Sequence, residues 1–207
     1  MPRRYRIPFE HRERIVRAFE DVNEDYLIVA DTLGIRQVCG QRGRNVTVKM
    51  AISPTNGLVF HSAAIGGMNA RQFDDFLAQT RLNLDPDEHV ILIYDGEPAH
   101  KKFQVPTQNL KSYHLTYSPF LNIVEPAISS LKTAIKADIS GPEIQEQMNN
   151  REEARSQGIA LGNYRSQLLQ QALQRNIRTI TAANCGQWFR FMQTYLPRCL
   201  NSEVIEG

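Results

Sequence analysis

Two carboxylates stand where their neighbours could put them to use. The first, Asp95, ends the run Val90-Ile91-Leu92-Ile93-Tyr94, a short continuous apolar stretch rich in β-branched residues. Such a run predicts a strand buried on both faces, as in the middle of an α/β sheet. Asp95 then falls at the strand's carboxyl end, where open α/β sheets place their ligands. The competing reading is a plain turn, because Asp-Gly is a common turn pair and Gly96 and Pro98 follow, with His100 shortly after. The second carboxylate, Glu125, lies three residues beyond Asn122. With Asn122 as N-cap and Glu125 at N3, the glutamate would occupy the first turn of a helix, near its positive end. On that ground alone it needs no role beyond capping. Pro126 is tolerated in a first turn but biases Glu125 away from helical angles.

The elements that must position these residues follow from periodicity. Residues 8–36 predict two short helices, the first with Ile15, Ala18 and Phe19 at helical spacing, the second with Tyr26, Val29, Ala30 and Leu33 at i, i+3, i+4 and i+7. Ala30-Asp31-Thr32-Leu33-Gly34-Ile35 has the pattern of the first helix and turn of a helix-turn-helix, in which a small residue permits close packing and glycine turns the chain. A second helix is expected next, yet "RQVCGQRGRN" is loop-like, so the motif stops halfway. From residue 45 the period changes to two. "NVTVKMAIS" and "GLVFHSAAI" predict a hairpin around a turn at Pro54–Gly57. A helix capped by Asn69 carries Phe73, Phe76 and Leu77; a short strand is expected near 111–115; and Ile128, Leu131, Ile135 and Ile139 share one helix face. The polar stretch 142–157 predicts an exposed helix or linker, and amphipathic helices near 162–175 and 181–195 close the chain, the latter packing Trp188, Met192 and Tyr195.

Composition narrows the class. With 42% hydrophobic and 22% charged residues, the 207-residue chain is ordinary for a globular protein with a sizeable core. No apolar run approaches a membrane span, and the amino terminus lacks the apolar region of a signal peptide, so no membrane partner and an intracellular location are expected. Cys39, Cys185 and Cys199 are odd in number and widely spaced, fitting reduced thiols better than a disulfide framework or zinc site. A net charge of +2 announces no nucleic acid, but the basic residues cluster: Arg3, Arg4, Arg6, Arg12, Arg14 and Arg17 near the start, then Arg36, Arg42, Arg44 and Lys49 around a glycine-containing loop. Such clusters anchor phosphates or simply solvate a surface.

Taken together, "YDGEPAH" and "YSPFLNIVEPAISSLK" resemble the catalytic core of the mariner-type DDE transposases. In that family a strand-end aspartate opens an Asp-Asn/Gly-x-x-x-His motif, matched here by Asp95 and His100. The third carboxylate lies in a Tyr-Ser-Pro-x-Leu-Asn-Pro-Ile-Glu motif ahead of Leu-Lys, matched by Tyr117, Ser118, Pro119, Leu121, Asn122, Glu125, Leu131 and Lys132. "GQRGRNVTVKMAIS" and "GGMNARQFDDFL" match the family's loop, second strand and following helix, and the likeness covers about residues 8–138. The resemblance implies an α/β fold, a ribonuclease H-like mixed sheet flanked by helices. It implies cleavage and strand transfer of DNA, in which acidic side chains bind two divalent ions, Mg2+ or Mn2+, that stabilise the attacking and leaving oxygens. Asp95 and Glu125 would supply two of the three carboxylates. Phe120, Ile123 and Pro126 depart from the family pattern.

The larger departure is the first carboxylate, which should end a strand upstream of the glycine-arginine loop. The helical count over 26–33 leaves no room for it. One replacement offers itself: "YLIVAD" read as a strand that ends on Asp31. The expected organisation is therefore a partial helix-turn-helix segment at 1–36, a ribonuclease H-like domain at 37–140 with its first strand missing, and a helical tail at 141–207. With Asp95 and Glu125 alone, one magnesium would bind weakly and little or no strand cleavage is expected. The alternatives are a transposase-derived module that only binds DNA or a protein partner, and a nuclease of the same fold with another substrate. The expected partner is DNA, as transposon ends or nonspecific duplex contacted by Arg3, Arg4 and Arg6. A homodimer is open to it, and the location would be nuclear in a eukaryote and cytoplasmic otherwise.

Overall fold

The computed structural model describes residues 25–30, 46–67, 69–87, 89–95, 110–115 and 119–201. Period-two patterning forms the hairpin as expected. β2 (Val46–Ser53) and β3 (Gly57–Ile65) pair antiparallel from Ser53 opposite Gly57 to Val46 opposite Ile65. The turn between them is held by the Ser53 hydroxyl, which accepts from the amides of Thr55 (3.2 Å) and Asn56 (3.1 Å). Gly57 leaves the turn at φ +75°, a left-handed angle that favours glycine.

The run that ends at Asp95 forms β4 (Val90–Asp95), and it is buried on both faces. Ile91 and Ile93 join one core cluster, while Val90, Leu92 and Tyr94 join the other. β5 (Leu110–Leu115) lies parallel to β4, with Asp95 opposite Leu115.

The principal correction falls at 25–30. These residues form a strand, β1 (Asp25–Ala30), where a helix was expected over 26–33. β1 is the central strand of the sheet β3-β2-β1-β4-β5, antiparallel to β2 and parallel to β4. The first strand is therefore present, and the sheet domain starts no later than Asp25 instead of at residue 37. The reason is visible in the residues. Tyr26, Val29, Ala30 and Leu33 fit a helical stripe, but Leu27 and Ile28 fill its gaps. "DYLIVA" is thus a continuous apolar run of the same kind as "VILIYD", and period alone does not separate a short buried strand from a buried helix. A strand here excludes the first helix of the expected helix-turn-helix. Residues 1–24 and 31–45, with Arg3, Arg4 and Arg6 and the glycine-arginine loop, lie outside the described residues.

Helices cover both faces of the sheet. On one side α1 (Ala70–Leu82) buries Phe73, Phe76 and Leu77 against Ala51, Leu92 and Tyr94. Asn69 caps it as expected, in a reciprocal arrangement with Gln72. On the other side lie α2 (Val124–Ile139), α3 (Pro142–Asn149), α4 (Arg151–Ser156), α5 (Leu161–Asn176), α6 (Ala182–Gln193) and α7 (Leu196–Leu200). Met148, Ala154, Leu169, Leu173, Cys185 and Met192 share one buried cluster with Val46, Met50, Ile52 and Ile93. Residues 141–200 are thus packed on the sheet's own core instead of forming a separate tail. The stretch 142–157 is two short helices, anchored by Met148 and Ala154.

Candidate catalytic carboxylate site

Because β1, β4 and β5 run parallel, their carboxyl ends share one edge of the sheet. Counting on from Ile28 opposite Ile93 brings Ala30, the last residue of β1, opposite Asp95, the last residue of β4. Asp95 is therefore a strand-end residue paired with Leu115, as its apolar run predicted. Its side chain and residues 96–100, including His100, lie outside the described residues. So does Asp31, which follows Ala30 directly in the chain.

Glu125 stands in the first turn of α2 and is exposed. The stripe Val124, Ala127, Ile128, Leu131, Ile135 and Ile139 buries the opposite side of the helix, which lies against β1 and α5. The capping is not the expected one. A 3-10 turn at Pro119–Leu121 leads in with helical angles, so Ile123 occupies the N-cap position and makes no side-chain cap bond. The buried Asn122 serves the helix start differently: its side-chain oxygen accepts from the Val124 amide at 3.2 Å, and its carbonyl accepts from the Glu125 amide at 3.1 Å. Asn122 thus fixes the backbone that carries Glu125 without the reciprocal box.

Other expectations shift. Lys49, grouped with the loop arginines as a phosphate anchor, is buried instead. It donates to the Gln72 carbonyl at 2.9 Å and lies 5.5 Å from the centre of the Phe76 ring, so it braces β2 on α1. Cys185 and Cys199 are buried thiols outside any disulfide, and burial pushes the Cys185 thiol up to about 11. Among the described residues no group of three or more His, Cys, Asp or Glu is placed to hold a metal ion. The carboxylates of Asp95 and Glu125 are hard oxygen donors of the kind magnesium and manganese take. Among the described residues no helix is long and apolar enough to cross a membrane.

Comparison with known proteins agrees with this geometry. A family model described as DDE superfamily endonuclease matches residues 31–149, more than half of the 207-residue chain. The match opens at the residue after β1. A solved structure, described as the crystal structure of the Mos1 strand transfer complex, superposes with a TM-score of 0.59 at 12% identity. It covers 98% of this chain, while this chain spans 64% of that one. The likeness identifies the fold as ribonuclease H-like, as the motif resemblance implied. A search of curated protein sequences finds no match.

Proposed function

Since this chain belongs to the DDE superfamily endonuclease family, we propose that it is a mariner-type transposase that cleaves DNA and transfers the cut strand, with Asp31, Asp95 and Glu125 as its three carboxylates. The observation that carries this reading is β1. Its parallel register beside β4 supports a first carboxylate at Asp31, next to the second at Asp95. Neighbouring strands lie about 4.8 Å apart, so Ala30, the residue before Asp31, ends beside Asp95. β5 ends opposite Asp95, and Glu125 follows ten residues after Leu115, in the first turn of α2. A present first strand removes the ground for expecting an inactive chain.

When bound, magnesium or manganese would stabilise the attacking and leaving oxygens of an in-line displacement at phosphorus. The protein's part is to hold anionic oxygens on rigid supports. Asp95 ends a strand buried on both faces, and Glu125 rides a helix whose apolar stripe is locked in the core. DNA is the substrate, and the arginines at 3–6 and 36–44 are proposed to contact its phosphates.

The test is nicking of supercoiled and linear duplex DNA with Mg2+ or Mn2+, comparing the full chain with Asp31→Asn, Asp95→Asn and Glu125→Gln. Each substitution is expected to abolish metal-dependent cleavage while circular dichroism is unchanged. Full activity in Asp31→Asn would remove that residue from the site. A folded wild-type chain that binds DNA and never nicks it would replace the enzyme with a binding module.

A further inference from the structure

The closing helices carry aromatic residues for which the carboxylate site has no use. Phe191, in the last turn of α6, is 62% exposed. Its ring meets that of Tyr195 edge-on at 5.4 Å, and Tyr195 lies 5.6 Å from Phe120. The Arg198 guanidinium stands 6.0 Å from the centre of the Tyr195 ring. Phe120, Trp188, Phe189 and Tyr195 are packed on the core, so the exposed face has a firm base.

This cluster lies toward the edge of the sheet at which β1 and β4 end. α6 starts at the hairpin turn, where Gly57 abuts Ala182, and it touches the 3-10 turn at Pro119–Leu121. β2 runs from the carboxylate edge at Val46 to that hairpin, so α6 crosses the sheet back toward the carboxylate edge. Phe120 is five residues before Glu125. A strand held at Glu125 would pass near the 3-10 turn that carries Phe120, on which Tyr195 packs.

We propose that Phe191, Tyr195 and Arg198 form a stacking platform for an unpaired base of the DNA substrate, an inference that rests on the reading of the chain as a DNA-cleaving enzyme. Aromatic faces stack bases of any sequence, and arginine adds attraction to both the ring and the phosphate. The base is unpaired because a base inside a duplex has both faces covered by its neighbours. A protein partner fits less well. A stable interface buries about 800 Å² per partner, whereas aromatic side chains contribute only about 150–250 Å² each, and this patch has one exposed ring and one half-buried ring.

The experiment uses the full chain without divalent metal, titrated with a duplex carrying a 2-aminopurine in a short 3′ overhang and with its blunt counterpart. Trp188, the only tryptophan and three residues from Phe191, gives a second signal. Wild type is expected to quench the overhang base and to bind the overhang duplex more tightly than the blunt one. Phe191→Ala and Phe191→Leu should each lose about tenfold in affinity for the overhang, the loss of one stacked base, while Phe191→Tyr retains it. Three results would overturn the platform: full affinity in Phe191→Leu, which marks plain apolar docking; equal binding of both duplexes with no quenching; or a change of oligomeric state in Phe191→Ala, which marks a surface between copies. Intact quenching with no carboxylate-dependent nicking would instead overturn the enzymatic reading and leave the platform standing.

Discussion

Substitution of Gly57 by alanine tests whether the closing helices belong to the sheet's folding unit. Gly57 has φ +75°, and a Cβ built there would lie 2.6 Å from the Ala182 nitrogen and 3.0 Å from its Cα, both backbone atoms at the start of α6. Two costs follow. The left-handed angle costs an L-residue about 1–2 kcal/mol. Overpacking against backbone that cannot rotate away adds about 1–3 kcal/mol. Gly158 provides the control, because it has φ +68° and nothing within 4 Å of a built Cβ. It carries the first cost without the second. For a domain of this size each kcal/mol lowers Tm by about 2–4 °C. At about 3 °C per kcal/mol, Gly158→Ala should therefore fall by about 3–6 °C and Gly57→Ala by about 6–15 °C, read by circular dichroism at 222 nm. Equal falls would mean that α6 does not press on the hairpin, and the argument that it crosses the sheet toward the carboxylates would fail with it.

The remaining predictions are simpler. Leu131→Ala, at a fully buried position on α2, should cost about 2–5 kcal/mol in urea denaturation. Arg175→Ala should cost less than about 1 kcal/mol in the same assay, because its 3.0 Å ion pair with Asp138 is 46% and 25% exposed at its two ends. Cys185, raised from its ordinary 9.0 to about 11 by burial, should resist alkylation at pH 8 in the native protein, as peptide mapping would show. Its linkage has a definite sign: the unfolded thiol ionises above pH 9 while the native one keeps its proton, so this stability is full below pH 9 and falls as pH rises toward about 11. A Cys185→Ala variant should show a smaller loss between pH 8 and 10.5. Asp95→Asn should abolish nicking without lowering Tm.

The sheet hairpin, α1, β4 and the buried stripe of α2 were legible in the sequence because each has one clean period. "VTVKMAIS" alternates, and Ile128, Leu131, Ile135 and Ile139 repeat at three and four residues. Asp95 was legible because the residues before it are apolar on both parities, as in a doubly covered strand, and Gly96 and Pro98 break the run after it. β1 was not legible by the same count. Its six residues fit two periods, and the pairing that decides between them comes from Val90–Ile93 and Met50–Ile52, far along the chain. Nor were the partners of 142–157 visible. Met148 and Ala154 are buried by surfaces that exist only once α5 has packed. Lys49 likewise reads as surface charge until the Gln72 carbonyl and Phe76 enclose it.

The strand that the count missed is also the one on which the proposed chemistry rests. Two dications side by side carry four positive charges and repel strongly wherever water is scarce. Asp95 and Glu125 offset half of that charge, which suits a single weakly held ion. β1 ends one residue short of Asp31 and lies beside β4, which supports the proposal of Asp31 as a third carboxylate. Three carboxylates leave one positive charge over, and the phosphate of a bound strand supplies the negative charge that matches it. Two ions would then be held firmly only when DNA is present, and Asp31→Asn would undo the match even with Asp95 and Glu125 untouched.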